Sequence, residues 1–402
     1  MIQSKTIGSM LIIAGTTIGA GMLALPIASA GLGFSTAIIV LLLAWILMTY
    51  TALLMLEVHQ HAPIDATLNT LAKSLLGKKG QIIANFSMIF LFYALCAAYI
   101  AGGGSQLQVN MNSWFETDLA PQFGAVVFAV IFGSIITLGT GTVDKVNRLL
   151  FTIKIIVLAS MFYMLTPYVQ GQHLLEMPIE QGLILSAIPV VFTSFGFHGS
   201  IPSVVRYVGI DIKSLRKIMI FGAALPLFIY LFWQLLSQGI MSQDNLLKSE
   251  GLTGFINSIA TMLHKPAISG TVTIFADLAL ATSFLGVSLG LFDFFSDTLK
   301  KGNSKKDRLF TALVTFMPPL GFALFYPQGF ITALGYAAIA LVVLAVFLPV
   351  AMVWVQRKQR PSTIDDYQVR GGSSALAFAA ISGIFIIGAQ CLQMFGFIPA
   401  VG

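Results

Sequence analysis

The sequence predicts an all-α integral membrane protein of eleven transmembrane helices, the first and sixth of them broken. Composition is the first ground: 57% of the 402 residues are hydrophobic, 9% are charged and the mean hydropathy is +0.88. A soluble domain carries about 25% charged residues. Length is the second, since the apolar runs are about 20 residues long, enough for a helix to cross roughly 30 Å of hydrocarbon. Charge placement is the third. Read as eleven spans, all but Lys248 and Lys265 of the 22 Lys and Arg fall on one side of the membrane. That bias puts the N-terminus in the cytoplasm and, with an odd number of spans, the C-terminus outside. The formal charge of +6 is then a topology signal and not a nucleic-acid footprint.

The spans are expected at about 7–30, 33–57, 82–106, 122–142, 149–168, 183–205, 215–239, 270–296, 308–326, 329–355 and 374–398. The first is too long for a signal-peptide core. The second closes at Glu57, beside His59 and His61, and reads as anchored at the interface. Cys96 and Cys391 lie within apolar segments, so no disulfide framework is expected. Most loops are short, apart from 58–81 and 240–269. Within the latter, Leu252–Leu263 is moderately apolar, which suits a helix lying on the membrane surface or capping an entrance. The basic run Lys300–Arg308 reads as a solvated turn that anchors orientation. Asp293 and Asp297 stand four apart on one helical face and read as partners of Lys300 or Lys301. No soluble domain is expected, and residues 1–402 read as one membrane domain.

The first span carries Gly15-Thr16-Thr17-Ile18-Gly19-Ala20-Gly21-Met22-Leu23-Ala24-Leu25-Pro26. Each interior glycine costs a helix roughly 1 kcal/mol relative to alanine, so the cluster needs a reason. One reason is close packing, since Gly15 and Gly19 are four apart. The other is a break, tolerated at mid-membrane only where protein or a water-filled cavity covers the backbone. The sixth span repeats the signal in Ile188–Pro202, with Gly196, Gly199, two prolines and His198 at membrane depth. Interruptions at corresponding places in two halves point to an inverted repeat, here about 7–168 and 183–355, with one extra helix at 374–398. In secondary transporters such breaks hold a zwitterion and its coupling ion. The amides of Gly19, Ala20 and Gly21 would begin the second half-helix and face a carboxylate. The carbonyls at Gly15, Thr16 and Thr17 would face an ammonium.

Three ionisable groups stand out at membrane depth. His198 can hold the unwound segment by a hydrogen bond, donate to a ligand hydroxyl or carry a proton. Lys154, a turn or more inside the fifth span, either snorkels to the interface or sits buried, where an ammonium removed from water can exchange its proton. Asp277, inside the eighth span with no local partner, is a candidate for proton carriage or for an outer gate. No HExxH and no cysteine cluster is present, which argues against an intramembrane enzyme and a metal site. A channel would need a filter or a charged ring in place of paired breaks.

Gly15–Pro26, Phe192–Pro202, Asp277–Asp293 (DLALATSFLGVSLGLFD) and Phe322–Gly335 (FALFYPQGFITALG) resemble the hydroxy/aromatic amino acid permease family. The likeness runs along nearly the whole chain. It implies the leucine-transporter type of fold, with five-plus-five inverted repeats, broken first and sixth helices and alternating access. It also implies import of an aromatic amino acid, tyrosine foremost, across a bacterial inner membrane by proton symport, with the N-terminus cytoplasmic and the C-terminus periplasmic. A tryptophan or broad aromatic carrier, and coupling to sodium, stay open. Under the resemblance Ser194 and Gly196 complete the cradle and Tyr99 faces it, while Phe192, Phe195 and Phe197 are candidate aromatic walls. Lys154 takes the place where sodium-coupled relatives hold their ion between the first and eighth helices, a region matched here by Thr282 and Ser283. No cofactor, nucleic acid or obligate protein partner is implied beyond the substrate and the lipid bilayer.

Overall fold

Inside hydrocarbon a backbone amide finds no water, so a chain this apolar satisfies its main chain within helices. The computed structural model describes residues 2–177, 181–299, 304–360 and 366–400, and no strand occurs among them. The first span is two helices, α1 (Ile2–Thr17) and α2 (Ala20–Ala28), bent by 52° across the residues between them. Then come α3 (Phe34–His59), α4 (Leu68–Phe115), α5 (Pro121–Leu138) and α6 (Thr140–Leu165). The sixth span is also divided, into α7 (Gln181–Thr193) and α8 (Ile201–Val208). Next are α9 (Ile212–Ile240), the short α10 (Gln243–Leu247), α11 (Gly251–Leu263), α12 (Pro266–Thr298) and α13 (Lys305–Phe325). A π-helical turn at Val343–Phe347 joins α14 (Phe330–Val342) to α15 (Leu348–Gln359) as one span, and α16 (Gly372–Met394) closes the chain. With the bent first pair counted as one span, up to eleven helices are long and apolar enough to cross a membrane.

The broken first span sits at the centre of the packing. α1 and α2 lie against α9, α2 also packs on α7, α11 and α12, and α4 runs alongside α5, α12 and α14. α11 buries Leu252, Phe255, Ile256 and Ile259, so the apolar stretch between the seventh and eighth spans caps the bundle instead of lying on the membrane surface.

Two expectations change. The 58–81 segment is not all loop, because α4 begins at Leu68, where Thr67 Oγ1 accepts from the Thr70 amide at 3.3 Å. Its first nine residues bury Leu71 and Ala72 and then turn into the span at Gly77, whose φ of +70° is a conformation that side chains rarely adopt. Glu57 is not an interfacial anchor. It is 2% exposed, and Arg357 at the end of α15 clamps it with two bonds of 2.7 and 2.8 Å. Its Oε2 also accepts from the Val369 amide at 2.8 Å, and the Arg357 guanidinium returns a bond to the Val369 carbonyl at 3.1 Å. Gln60 then holds the Tyr367 backbone, and Arg216 at the start of α9 lies 5.0 Å from the Tyr367 ring centre. A buried carboxylate requires such a partner, and the sequence offers none nearby. Lys300 and Lys301, expected to pair with Asp293 and Asp297, lie outside the described residues, as do Gly302 and Asn303 of the same loop.

Candidate functional site

The first break is built by short side chains. Thr16 and Thr17 Oγ1 both donate back to the Ile13 carbonyl, at 2.8 and 2.7 Å, local bonds that compete with the helical ladder. Gly19 then takes an extended conformation (φ −145°, ψ −150°) and α2 restarts at Ala20. A Cβ on Gly19 would collide with the Ser283 hydroxyl. That hydroxyl accepts from the Ala20 amide at 2.9 Å, capping α2 from another span. The carbonyls at the end of α1 and just past it have no partner in that helix and find theirs elsewhere. Thr17 O lies 2.6 Å from the Tyr230 hydroxyl, and Ile18 O accepts from Lys154 Nζ at 2.9 Å.

The second break answers the first. Pro189 leaves the Leu185 carbonyl without a donor in the α7 ladder, and at the helix end Thr193 Oγ1 donates back to the Pro189 carbonyl at 2.9 Å, a local bond that competes with the ladder. The chain then turns tightly through Phe195, Gly196 and Phe197, and Pro202 sits in the first turn of α8, where its missing amide is harmless. Cross-ties join the two breaks: Ser194 Oγ donates to Gly21 O at 3.0 Å, and Ser200 Oγ to Thr16 Oγ1 at 3.3 Å.

Lys154 is 1% exposed and does not reach the interface. Its Nζ donates to Ile18 O and, at 3.0 Å, to Thr282 Oγ1, with the Phe151 ring centre 4.8 Å away. Thr282 directs its own hydrogen to Leu278 O at 2.8 Å, which leaves its oxygen free to accept. The ammonium is thus held by neutral oxygens and a ring face, with no carboxylate paired to it among the described residues. Such a charge is poorly compensated for its lost hydration.

Between the breaks lies a cavity of about 80 Å³. Thr16, Thr17, Gly19, Ala20, Gly21, Tyr99, Ser194, Gly196 and Ser283 line it, so most of the residues expected at the site converge there. Lys154 and Thr282 stand on the far side of the Ile18 carbonyl, tied to the same break. Gly15 lies further back along α1, against the Phe151 ring. Phe195, Phe197 and His198 are buried behind the cavity. Phe195 packs on Tyr230 with ring centres 5.2 Å apart, and Phe197 on His198 at 5.1 Å. His198 Nε2 meets Thr51 Oγ1 at 2.9 Å, while Nδ1 has no partner among the described residues. Asp277 does not line the cavity and accepts from Asn110 at 3.0 Å.

The sequence reading missed the aliphatic walls, among them Leu91, Leu95, Val287, Leu334 and Leu341. In a chain this rich in leucine, nothing local separates a cavity wall from a lipid-facing residue. It also missed the strip on α9 that braces the first span. Trp233 Nε1 donates to Met22 O at 3.0 Å and Gln234 Nε2 to Ser29 Oγ at 2.6 Å. Here a signal was present: Tyr230, Gln234 and Gln238 recur every four residues, and polar side chains at membrane depth face the protein interior.

The cavity is well below the roughly 300 Å³ at which small-molecule pockets begin. Thr16, Gly196, Gly199 and Gly286 around it are exposed, whereas Met22–Ala28, Trp233 and Phe255 are buried. Buried residues thus close the cavity towards α11, while its lining residues Thr16 and Gly196 are exposed. A larger groove of about 440 Å³ between α3, α7 and α16 is almost wholly apolar and lacks the groups that a zwitterion needs.

Comparison with known proteins bears on what this arrangement serves. The model of the tryptophan/tyrosine permease family matches residues 2–390. A Haemophilus influenzae protein named tyrosine-specific transport system 1 is 43% identical over 404 residues, 99% of this chain and 100% of that protein. Tyrosine-specific transport system 2 of the same organism is 39% identical over the full length of both chains. Its tryptophan-specific transport protein is 35% identical over 97% of each.

Proposed function

The chain belongs to the tryptophan/tyrosine permease family, and we propose that it imports tyrosine by proton symport across a bacterial inner membrane. It is a multi-pass membrane permease and not an enzyme. Tyrosine is preferred because two relatives at 43% and 39% identity are named for it. The relative named for tryptophan, at 35%, supports a second reading as a tryptophan or broad aromatic carrier.

In this reading the two halves form an inverted repeat and the breaks are the fixed site of alternating access. The substrate carboxylate meets the first-turn amides of α2, where the helix dipole favours negative charge. Ser283 accepts from Ala20 and keeps its own hydrogen for that carboxylate. The ammonium meets carbonyls freed at the breaks, and the ring lies between Tyr99 and the aliphatic walls. The charge bias makes the side carrying α1 and α8 cytoplasmic, so the site opens inward, with the N-terminus inside and the C-terminus outside.

The observation that carries proton coupling is the ammonium of Lys154 bonded to Ile18 O and Thr282 Oγ1. Those oxygens suit a monovalent cation, and the lysine already supplies one. Losing its proton would release the first break, and regaining it would fasten the break again. A sodium ion would have to displace the ammonium. Uptake of labelled tyrosine by vesicles containing the purified protein, with unlabelled tyrosine, tryptophan and phenylalanine as competitors, tests the substrate. Uptake blocked by tyrosine alone supports the first reading. Equal competition by tryptophan moves the assignment to the second.

A further inference from the structure

One hydroxyl serves both breaks. Tyr230 is fully buried on α9, its ring edge-on to Phe195. Its oxygen lies 2.6 Å from the Thr17 carbonyl at the end of α1 and 2.8 Å from the Ser194 carbonyl just past α7. A phenol carries a single hydrogen and a carbonyl only accepts, so a full bond forms to one of the two at a time. Further along α9 the tethers are not divided in this way: Trp233 Nε1 has Met22 O, and Gln234 holds Ser29. The outer half of the first span is therefore fastened outright by α9, while the tie that α9 makes to both breaks, beside the direct Ser194–Gly21 and Ser200–Thr16 bonds, is one shared proton.

We propose that Tyr230 is the positioning residue that couples the breaks. Its hydrogen alternates between Thr17 O and Ser194 O, which keeps the two carbonyls at a fixed separation across the cavity. Whichever carbonyl lacks the hydrogen is left able to accept from the polar end of the cargo. The joint itself follows from geometry alone. Only its consequence for the cargo's ammonium rests on the amino acid reading above.

The test is hydrogen exchange on the full-length purified protein carrying Tyr230→Phe, which keeps the ring and removes the hydroxyl. Two buried carbonyls lose their donor. Exchange in residues 15–23 and 192–199 is expected to rise together, by roughly tenfold or more, with α9 itself unchanged. Trp233→Phe, which frees only α2, is the control and should leave 192–199 as in the parent. A rise at one break only, or at neither, overturns the coupling. Should Tyr230→Phe fail to assemble, 3-fluorotyrosine at position 230 is a stronger donor and should slow exchange at both segments; unchanged exchange overturns the proposal equally. In transport, the KM of the Phe variant for labelled tyrosine should rise about tenfold with the maximal rate kept. Competition by 3-(4-hydroxyphenyl)propanoate, which lacks the ammonium, should match the parent. Equal loss for both compounds would mean general loosening and contradict the positioning role. A parent that takes up no aromatic amino acid would defeat the functional reading and leave the exchange result standing by itself.

Discussion

The ammonium of Lys154 donates to the carbonyl of Ile18 at 2.9 Å, joining the fifth span to the break in the first across 136 positions of sequence. The same ammonium meets Thr282 on the eighth span at 3.0 Å, so three spans converge on one charge. A group buried to 1% exposure, with no counterion among the described residues, is held in place mainly by the bonds it makes.

Lys154→Gln removes that charge while keeping a polar side chain. Net accumulation driven by a pH gradient should fall at least tenfold, with exchange of labelled for unlabelled substrate across the membrane largely retained. The two rates, measured in parallel in proteoliposomes, check this. Unchanged accumulation would remove Lys154 from the coupling step.

Gly19→Ala places a methyl group where the Ser283 hydroxyl stands. The Ala20 cap must then shift, and binding of the substrate carboxylate should weaken by tenfold or more, about 1.4 kcal/mol or more. Adding Ser283→Gly makes room, so the double variant should lose less than the sum of the two single losses. Titration of all three variants with labelled tyrosine reads the coupling directly.

Tyr99 supplies the one aromatic ring among the cavity-lining residues. Tyr99→Leu should lower affinity for an aromatic substrate by about 0.5–1.5 kcal/mol. Phe197→Ala, behind the cavity and against His198, should act on stability more than on affinity. Competition binding and thermal unfolding of both variants separate the two roles.

Glu57→Gln leaves Arg357 half-buried without its carboxylate and should destabilise the protein by about 3–5 kcal/mol. Removing both charges should cost less than removing one. Thermal unfolding in detergent distinguishes these outcomes, and equal losses in the single and double variants would contradict the pairing.

How legible the site was follows from where each signal is written. Both breaks could be read because glycine, threonine and proline act on their own backbone, and Gly19 marks the joint to within a residue. Lys154 was visible as a charge inside an apolar run. Its meaning was not, since snorkelling and burial differ only in what surrounds the side chain. The cap of α2 by Ser283 spans 263 positions and the Glu57–Arg357 pair 300, and no local pattern encodes either. The helical arm at the start of α4 was missed differently. Leu68, Leu71, Ala72 and Leu75 carried a helical period, but the lysines beside them made the stretch look like loop.

The most direct measurement is accumulation of labelled tyrosine in proteoliposomes under an imposed pH gradient, with and without sodium, for the parent and for Lys154→Gln. Concentrative uptake without sodium in the parent, lost in the variant, is the predicted result. Uptake that requires sodium and survives the loss of Lys154 would contradict proton coupling and move the ion site to Thr282 and Ser283.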